Sequence, residues 1–105
     1  GDGAQTRDFL YVEDAVEACL LALRSQQCAG EIINIGTGKQ TTVNELASVL
    51  AKLLEKGNIK PVYQQPRKGD ILRSCANIEK AEKLLEYNPK FSLENGLKKM
   101  LQIGE

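Results

Sequence analysis

Apolar residues recur at three- and four-residue spacing in several stretches of the chain, which is the pattern of amphipathic helices. The first stretch predicts a helix over residues 12–24. Glu13 and Asp14 lie at its amino-terminal end, where the helix dipole favours negative charge. The apolar positions that form its stripe are Val12, Ala15, Val16, Cys19, Leu20 and Leu23.

Three further stripes predict three more helices. Thr42 and Glu45 have the spacing of a capping box at the start of the second helix, and Gly57 is suited to end it. The third helix is predicted to begin near Asn77 and the fourth near Ser92. The residues expected to point inward from the last two are Ile78, Ala81, Leu84 and Leu85, and then Leu93, Leu97, Met100 and Leu101.

Extended segments are predicted between the helices. Residues 31–36, EIINIG, form a β-branched run that ends in glycine, which predicts a buried strand followed by a turn. Alternating residues after Arg7 suggest a partly buried strand, and Pro61 favours an edge position in a third extended segment. No repeat or flexible linker interrupts the pattern. We therefore predict one α/β unit over residues 1–105, with about four helices and a few short strands.

Composition narrows the function classes. The chain has 105 residues, 42% hydrophobic and 27% charged, which is typical of a folded soluble domain. Fourteen basic residues balance fourteen acidic ones, so no overall field favours nucleic acid or a membrane surface. Three cysteines without CxxC spacing, and no histidine, argue against a metal site and suggest a reducing, cytoplasmic setting. No run approaches the length of a membrane span.

Two glycine-bearing stretches are candidates for binding phosphate. The spacing of the first and the charge of the second argue against that function. The turn at residues 36–38, GTG, lacks the third glycine of a dinucleotide fingerprint and the Lys-Ser/Thr of a P-loop. In residues 1–3, GDG, Asp2 would repel a phosphate. We predict a tight turn at the first stretch and a hairpin turn at the second.

Two arginines are the stronger candidates for binding. Arg7 lies in a strand-like run, and a buried arginine needs an anion, which is Asp8, Asp14 or a ligand. Arg67 lies in the loop PRKGD, where its planar guanidinium can bind phosphate while a nearby carboxylate accepts sugar hydroxyls. An ordinary surface turn is the alternative for this loop.

The motifs GDGxQTRDFxYVxD, NIGTG, PRxGD and NPxxSLENGL occur together in this chain. In this order and spacing they resemble the carboxyl-terminal, substrate-binding lobe of extended short-chain dehydrogenase/reductases, and within them the nucleotide-sugar epimerases of the UDP-glucose 4-epimerase type. The resemblance covers the chain from Gly1 to about Leu101.

The resemblance implies roles for four residues in binding a UDP-sugar. Arg7 and Arg67 would hold its diphosphate, and Asp70 would accept hydrogen bonds from the ribose. Ser74 would border the 2-substituent of the sugar, where a small residue admits an N-acetyl group. The resemblance also implies structural rather than ligand-binding positions for two other residues, Phe9 and Asn34.

The family motifs for cofactor binding and catalysis, GxxGxxG and Tyr-x-x-x-Lys, do not occur in this chain. We therefore expect a fragment without its Rossmann half that has no catalytic residue, binds no cofactor and is inactive alone. The resemblance implies that the intact parent binds NAD. It is also compatible with a parent that forms a homodimer.

Other interpretations remain open. The chain is alternatively a stand-alone nucleotide-sugar-binding or protein-interaction module, the same lobe of a sugar-nucleotide dehydratase or decarboxylase, or a structural domain with paired Arg and Asp side chains.

Overall fold

A computed structural model of the chain describes residues 2–55, 62–65, 67–69 and 71–102. In these ranges it contains four helices and one two-stranded antiparallel sheet, so the predicted α/β class is confirmed. The two strands pair with Thr6 opposite Thr42 and Arg7 opposite Thr41. The elements are β1 Thr6–Arg7, α1 Val12–Arg24, β2 Thr41–Thr42, α2 Val43–Leu53, α3 Glu79–Leu85 and α4 Leu93–Gln102.

Local signals place the helix starts correctly. The Thr42 hydroxyl accepts a hydrogen bond from Glu45 N at 3.0 Å, and the Glu45 carboxylate accepts from Thr42 N, which completes the capping box. Ser92 Oγ accepts from Asn95 N at 3.1 Å at the start of α4. Helix α3 begins at Glu79, two residues after its predicted start. The four predicted helices are therefore confirmed, with small shifts at their ends.

The end of α2 differs from the prediction. The helix ends at Leu53, and Glu55 adopts a left-handed conformation with φ of 58° just beyond it. Gly57, which we expected to end the helix, lies outside the described residues. A left-handed residue that is not glycine carries some backbone strain, and here it takes the position at which glycine is usual.

The hydrophobic core lies between α1, α3 and the segment before the glycine turn. Its buried members come from both helices and from the second residue after α3. They are Ala18, Ala81, Leu85 and Tyr87, and the partly buried residues packed against them are Leu21, Ala22, Cys28, Ile33, Ile35 and Ile78.

The predicted buried strand at residues 31–36 is absent from the structure. Ile33 and Ile35 pack on the core, whereas Ile32 between them is 86% exposed, which is the alternation of a strand. Its backbone pairs with no other strand among the described residues, and without a partner no ladder forms. The predicted strand is therefore wrong, although two residues of the run pack on the core as expected of a buried segment.

The other predicted strands are also shorter or missing. The strand near Arg7 ends at that residue, before Asp8. Gly3 bends the chain with φ of +79°, but β1 pairs with β2 rather than with a strand before the bend, so the described residues contain no hairpin. Residues 62–65 carry no strand, and Pro61 lies outside the described residues.

Helix α1 is apolar on two faces. The face that packs in this structure contains Asp14 and Ala18, whereas the predicted stripe is largely exposed. In α4, Met100 and Leu101 are exposed although we expected them to point inward. No helix in the described part of the chain is both long and apolar enough to span a bilayer. The exposed members of the α1 stripe are Val12, Val16, Cys19, Leu20 and Leu23.

Candidate functional site

A cavity of about 560 Å³ lies where the end of β1 meets two loop segments. Residues 7–8, 34–36 and 74–77 form its wall. Its polar side chains include the Arg7 guanidinium, the Asp8 carboxylate, the Asn34 amide and the Ser74 hydroxyl. This volume is in the range of sites for small organic ligands.

Among the described residues, the Arg7 side chain donates hydrogen bonds to two carbonyl groups. Its Nη1 donates to the carbonyl oxygen of Thr6 at 2.7 Å and to that of Ile71 at 2.8 Å. Within the described residues no ion pair joins Arg7 to a carboxylate. The guanidinium therefore brings a positive charge to the cavity wall that forms no ion pair with a described carboxylate, and a positive charge favours an anionic ligand.

The segment that carries Ser74 lies beside β1. Thr6 N donates to the carbonyl of Leu72 at 2.8 Å, and Ser74 N donates to the carbonyl of Thr6 at 3.2 Å. Donors and acceptors that alternate in this way are typical of parallel strands. These two bonds, with the one from Arg7 to Ile71, position Ser74 and Arg7 on the same cavity.

The aspartate next to Arg7 is engaged with backbone groups. The Asp8 carboxylate accepts from the N–H groups of Thr37, Gly38 and Ala76 and from the Thr37 hydroxyl. Burial raises the pKa of Asp8, but the hydrogen bonds from Thr37, Gly38 and Ala76 together bring it below its usual 3.8. Asp8 is therefore ionised at neutral pH without an arginine partner.

The second candidate partner for Arg7 is also engaged elsewhere. Asp14, only 2% exposed, accepts from the N–H groups of Lys90 at 2.9 Å and Phe91 at 3.0 Å. It joins the first turn of α1 to the segment before α4. The interpretation of Arg7 as the partner of Asp8 or Asp14 is therefore wrong, because both carboxylates bind main-chain donors instead.

The glycine turn at residues 36–38 is a tight turn, as predicted, and Gly38 has φ of +77°. In phosphate-binding turns, the backbone N–H groups at such positions bind anions. Here the N–H groups of Thr37 and Gly38 donate to Asp8, at 2.9–3.0 Å and 2.9 Å. A carboxylate of the chain itself therefore occupies the anion position of this turn.

Two of the four predicted site residues, Arg7 and Ser74, lie together on this cavity. Arg67 is exposed and does not line it, and Asp70 lies outside the described residues.

Asn34, which the resemblance implied to be structural, is exposed on the cavity wall. Sequence reasoning also missed the role of Asp8, since its bonds join positions far apart in the chain. No cluster suited to a metal ion occurs in the described part of the chain.

Known proteins match this chain along nearly its whole length. The protein-family model of GDP-mannose 4,6 dehydratase matches residues 1–100. The UDP-glucuronate 4-epimerase of Thermodesulfobacterium geofontis is 38% identical over 100 residues, which are 94% of this chain and 30% of that protein.

Solved structures match the fold as well. The UDP-glucose 4-epimerase of Thermotoga maritima, solved with UDP-glucose, has a TM-score of 0.87 at 42% identity, covering 100% of this chain and 34% of that one. A variant of the UDP-glucuronic acid 4-epimerase of Bacillus cereus, solved with UDP-4-deoxy-4-fluoro-glucuronic acid and NAD, has a TM-score of 0.85 at 36% identity, covering 93% and 31%.

The chain spans about a third of the length of the relatives it matches, and the matching region is their carboxyl-terminal part. The family model covers residues 1–100, and the fold agrees with that of UDP-sugar 4-epimerases. The chain therefore belongs to the GDP-mannose 4,6 dehydratase family, the NAD-dependent nucleotide-sugar epimerases and dehydratases of the extended short-chain dehydrogenase/reductase type.

Proposed function

We propose that this chain is the UDP-sugar-binding lobe of an NAD-dependent UDP-sugar 4-epimerase. The observation that carries the proposal is the position of Arg7, which forms no ion pair with a carboxylate in the described part of the chain, on the same cavity as Ser74. An arginine on a cavity of about 560 Å³ suits the diphosphate of a nucleotide sugar. The relatives solved with UDP-glucose and with a UDP-glucuronic acid analogue support the choice of ligand.

The proposal assigns a part of the UDP-sugar to each polar side chain of the predicted site. Arg7 makes charge-assisted hydrogen bonds to the diphosphate, and the Asn34 amide, on the same wall, supplies a neutral donor. Arg67 is the second diphosphate ligand and Asp70 the acceptor for the ribose, as the family likeness implies. Holding the nucleotide in this way orients the sugar for reaction in another part of the protein. Ser74 is the residue nearest the 2-substituent of the sugar.

The described residues do not fit NAD. The glycine turn at residues 36–38 is the candidate for its diphosphate, and Asp8 occupies the N–H groups there. A second anion would meet a negative charge at that turn. Relatives of this chain are solved with NAD, so we propose that the complete enzyme binds it through residues outside this chain. The contribution of this lobe is then to bind and orient the nucleotide sugar.

The remaining parts of the proposal concern the whole protein. We propose that residues 1–105 form one lobe that works with an amino-terminal Rossmann half and is inactive alone, in a parent that assembles as a homodimer. The three cysteines are all free, which is consistent with a reducing, cytoplasmic compartment.

Calorimetric titration with UDP tests the ligand. In the complete polypeptide that contains this chain, Arg7→Ala should weaken UDP binding about 10- to 100-fold, because a hydrogen bond to a charged group contributes about 1.5–3 kcal/mol. Arg24→Ala is the matched control, since it removes the same charge from the exposed end of α1. Equal UDP affinity in the two variants would contradict the proposed role of Arg7.

The reaction product distinguishes the epimerase from its alternatives. The matching family model is described as a dehydratase, which is the observation in favour of that second candidate. Incubation of the complete polypeptide with UDP-glucose, and separately with UDP-glucuronic acid, should give a product of unchanged mass with inverted configuration at C4. Loss of water would support a dehydratase, and loss of carbon dioxide a decarboxylase. Binding of UDP without turnover of either sugar would support a stand-alone module.

A further inference from the structure

Asp8 follows Arg7 at the end of β1, and both oxygens of its carboxylate are engaged. Oδ2 accepts from the N–H groups of Thr37 at 3.0 Å, Gly38 at 2.9 Å and Ala76 at 3.3 Å. Oδ1 accepts from Thr37 N at 2.9 Å and from the Thr37 hydroxyl. A single side chain therefore satisfies three backbone donors and one hydroxyl.

These donors belong to two segments that are distant in the chain but border the same cavity. Residues 36–38 carry two of the backbone donors, and residues 74–77 carry the third. Arg7 and Asp8 lie on the cavity wall with both segments. Through one carboxylate, the residue beside Arg7 is therefore joined to both other parts of the wall.

Close packing supports these hydrogen bonds. A Cβ atom at Gly36 would lie 2.5 Å from Asp8 Oδ2 and 2.7 Å from the Cβ of Ala76. Both distances are shorter than real contacts allow, so this approach of the three segments requires glycine at position 36. The junction is thus specified by shape as well as by hydrogen bonding.

Asp8 does not neutralise the neighbouring arginine, because Arg7 donates to the carbonyls of Thr6 and Ile71 instead. The carboxylate therefore joins the walls of the cavity without forming an ion pair with Arg7. An aspartate whose lone pairs are already engaged, and which repels phosphate, is unsuited to bind that ligand directly.

We propose that Asp8 is a positioning residue that holds residues 36–38 and 74–77 against β1, so that Arg7 and Ser74 border one cavity. The identity of the cavity's ligand rests on the proposed function, whereas the positioning itself does not. The inference therefore has one test without ligand and one with UDP.

The substitution Asp8→Asn is a sharp probe of this junction. It replaces one carboxylate oxygen by an NH₂ group, which would face N–H donors and can satisfy none of them. Asp14→Asn is the matched control. Asp14 also accepts two backbone N–H groups and is buried, but it does not line the cavity.

Amide hydrogen exchange in the complete polypeptide, measured by mass spectrometry with fragment-level resolution, tests the positioning without ligand. Asp8→Asn should speed exchange at Gly38 and Ala76 at least tenfold and leave Lys90 and Phe91 unchanged. Asp14→Asn should speed exchange at Lys90 and Phe91 and leave Gly38 and Ala76 unchanged. Unchanged exchange at Gly38 and Ala76 in Asp8→Asn would overturn the inference.

Binding and turnover test the consequence for the site. Asp8→Asn should weaken UDP binding about tenfold and raise KM for UDP-glucose by a similar factor, with kcat within about twofold. Asp14→Asn should keep the UDP affinity of the unmodified protein. Equal affinities in the two variants would overturn the inference even if the unmodified protein binds UDP. If the unmodified protein does not bind UDP, the proposed function fails, and hydrogen exchange alone decides the positioning role.

A milder variant keeps the test decisive if Asp8→Asn does not fold. Thr37→Val removes the hydroxyl that donates to Asp8 and preserves the shape of the side chain. Exchange at Ala76 should then rise by a smaller factor, about threefold. No change at Ala76 in this variant would contradict the proposed coupling of the two segments.

Discussion

Ser74 illustrates how a single residue can set the substrate range of the proposed site. Its backbone N–H donates to Thr6, so its position follows from pairing with β1 rather than from its own side chain. Its small side chain lies on the wall of the cavity that Arg7 also borders. A larger residue at this position would extend into the cavity and reduce its volume. Ser74 is therefore suited to admit a bulky sugar substituent, which is the role that the family likeness implies.

The substitution Ser74→Tyr tests this role. We expect it to lower kcat/KM for UDP-N-acetylglucosamine at least tenfold relative to that for UDP-glucose, because steric exclusion rejects the larger substrate. Both values are measured in the complete polypeptide. Ser48→Tyr, at an exposed position of α2, is the control and should leave the ratio unchanged. An unchanged ratio in Ser74→Tyr would remove Ser74 from the substrate pocket.

At the scale of elements, the glycine turn is connected to α3 through a buried tyrosine. Helix α3 ends at Leu85, and Glu86 reverses the chain in a left-handed conformation with φ of 54°. Tyr87 then returns to the core with 2% of its surface exposed, and its hydroxyl donates to the Gly36 carbonyl at 2.7 Å. Burial, with the negative charges of Asp14 and Asp8, raises the pKa of Tyr87 to about 12. The hydroxyl is therefore a hydrogen-bond donor at neutral pH.

The substitution Tyr87→Phe should lower the free energy of unfolding by about 1–3 kcal/mol, because the Gly36 carbonyl loses its donor inside the protein. Urea denaturation of the chain measures this change. Tyr63→Phe is the control, since the exposed Tyr63 hydroxyl bonds to Asn44 at the surface and its loss should cost less. Equal losses in the two variants would contradict the importance of the Tyr87 bond.

The pKa of Tyr87 adds a dependence on pH. The folded value of about 12 lies above the ordinary 10.0, so the unfolded chain loses this proton first as pH rises. The stability contributed by the protonated tyrosine should be complete below pH 10 and fall between about pH 10 and 12. Tyr87→Phe should flatten the stability profile in that window, and an unchanged slope would contradict this assignment.

For the molecule as a whole, burial is incomplete. The accessible surface is 8072 Å², whereas a compact protein of 11.6 kDa exposes about 5,800 Å². The radius of gyration is 16.3 Å, against about 13 Å for a compact chain of this length. Large apolar side chains contribute to this surface, among them the outer stripe of α1, where Leu23 is 83% exposed. A helix that is apolar on two faces is typical of one buried on both sides.

We expect the isolated chain to self-associate, because contiguous apolar surface of this kind favours contact with another copy. Sedimentation velocity over a range of concentrations should detect species larger than a monomer. The double substitution Val16→Lys with Leu23→Lys should shift the chain toward monomer, since it charges the exposed stripe. The control is Gln26→Lys with Gln27→Lys, at exposed positions beyond α1. It adds the same charge and should leave the self-association unchanged. A monomer at every concentration would instead favour a stand-alone module.

The helices were predictable from the chain because their signals are local. The capping box of Thr42 and Glu45 and the cap at Ser92 act within three residues, so spacing alone identified them. The glycine turn was predictable for the same reason. The end of α2 was not, since Glu55 adopts the left-handed conformation that we had assigned to a glycine.

Strand pairing and the candidate site depended on contacts between distant parts of the chain. The β-branched run at residues 31–36 was visible in the sequence, but whether a strand forms depends on a partner. Motif resemblance selected Arg7 and Ser74, whereas only the fold shows that they border one cavity. Asp8 and Asp14 were candidate partners for Arg7 because they are near it in sequence. The tertiary structure assigned both carboxylates to backbone N–H groups in distant segments, since buried donors require an acceptor and the fold brought these within reach.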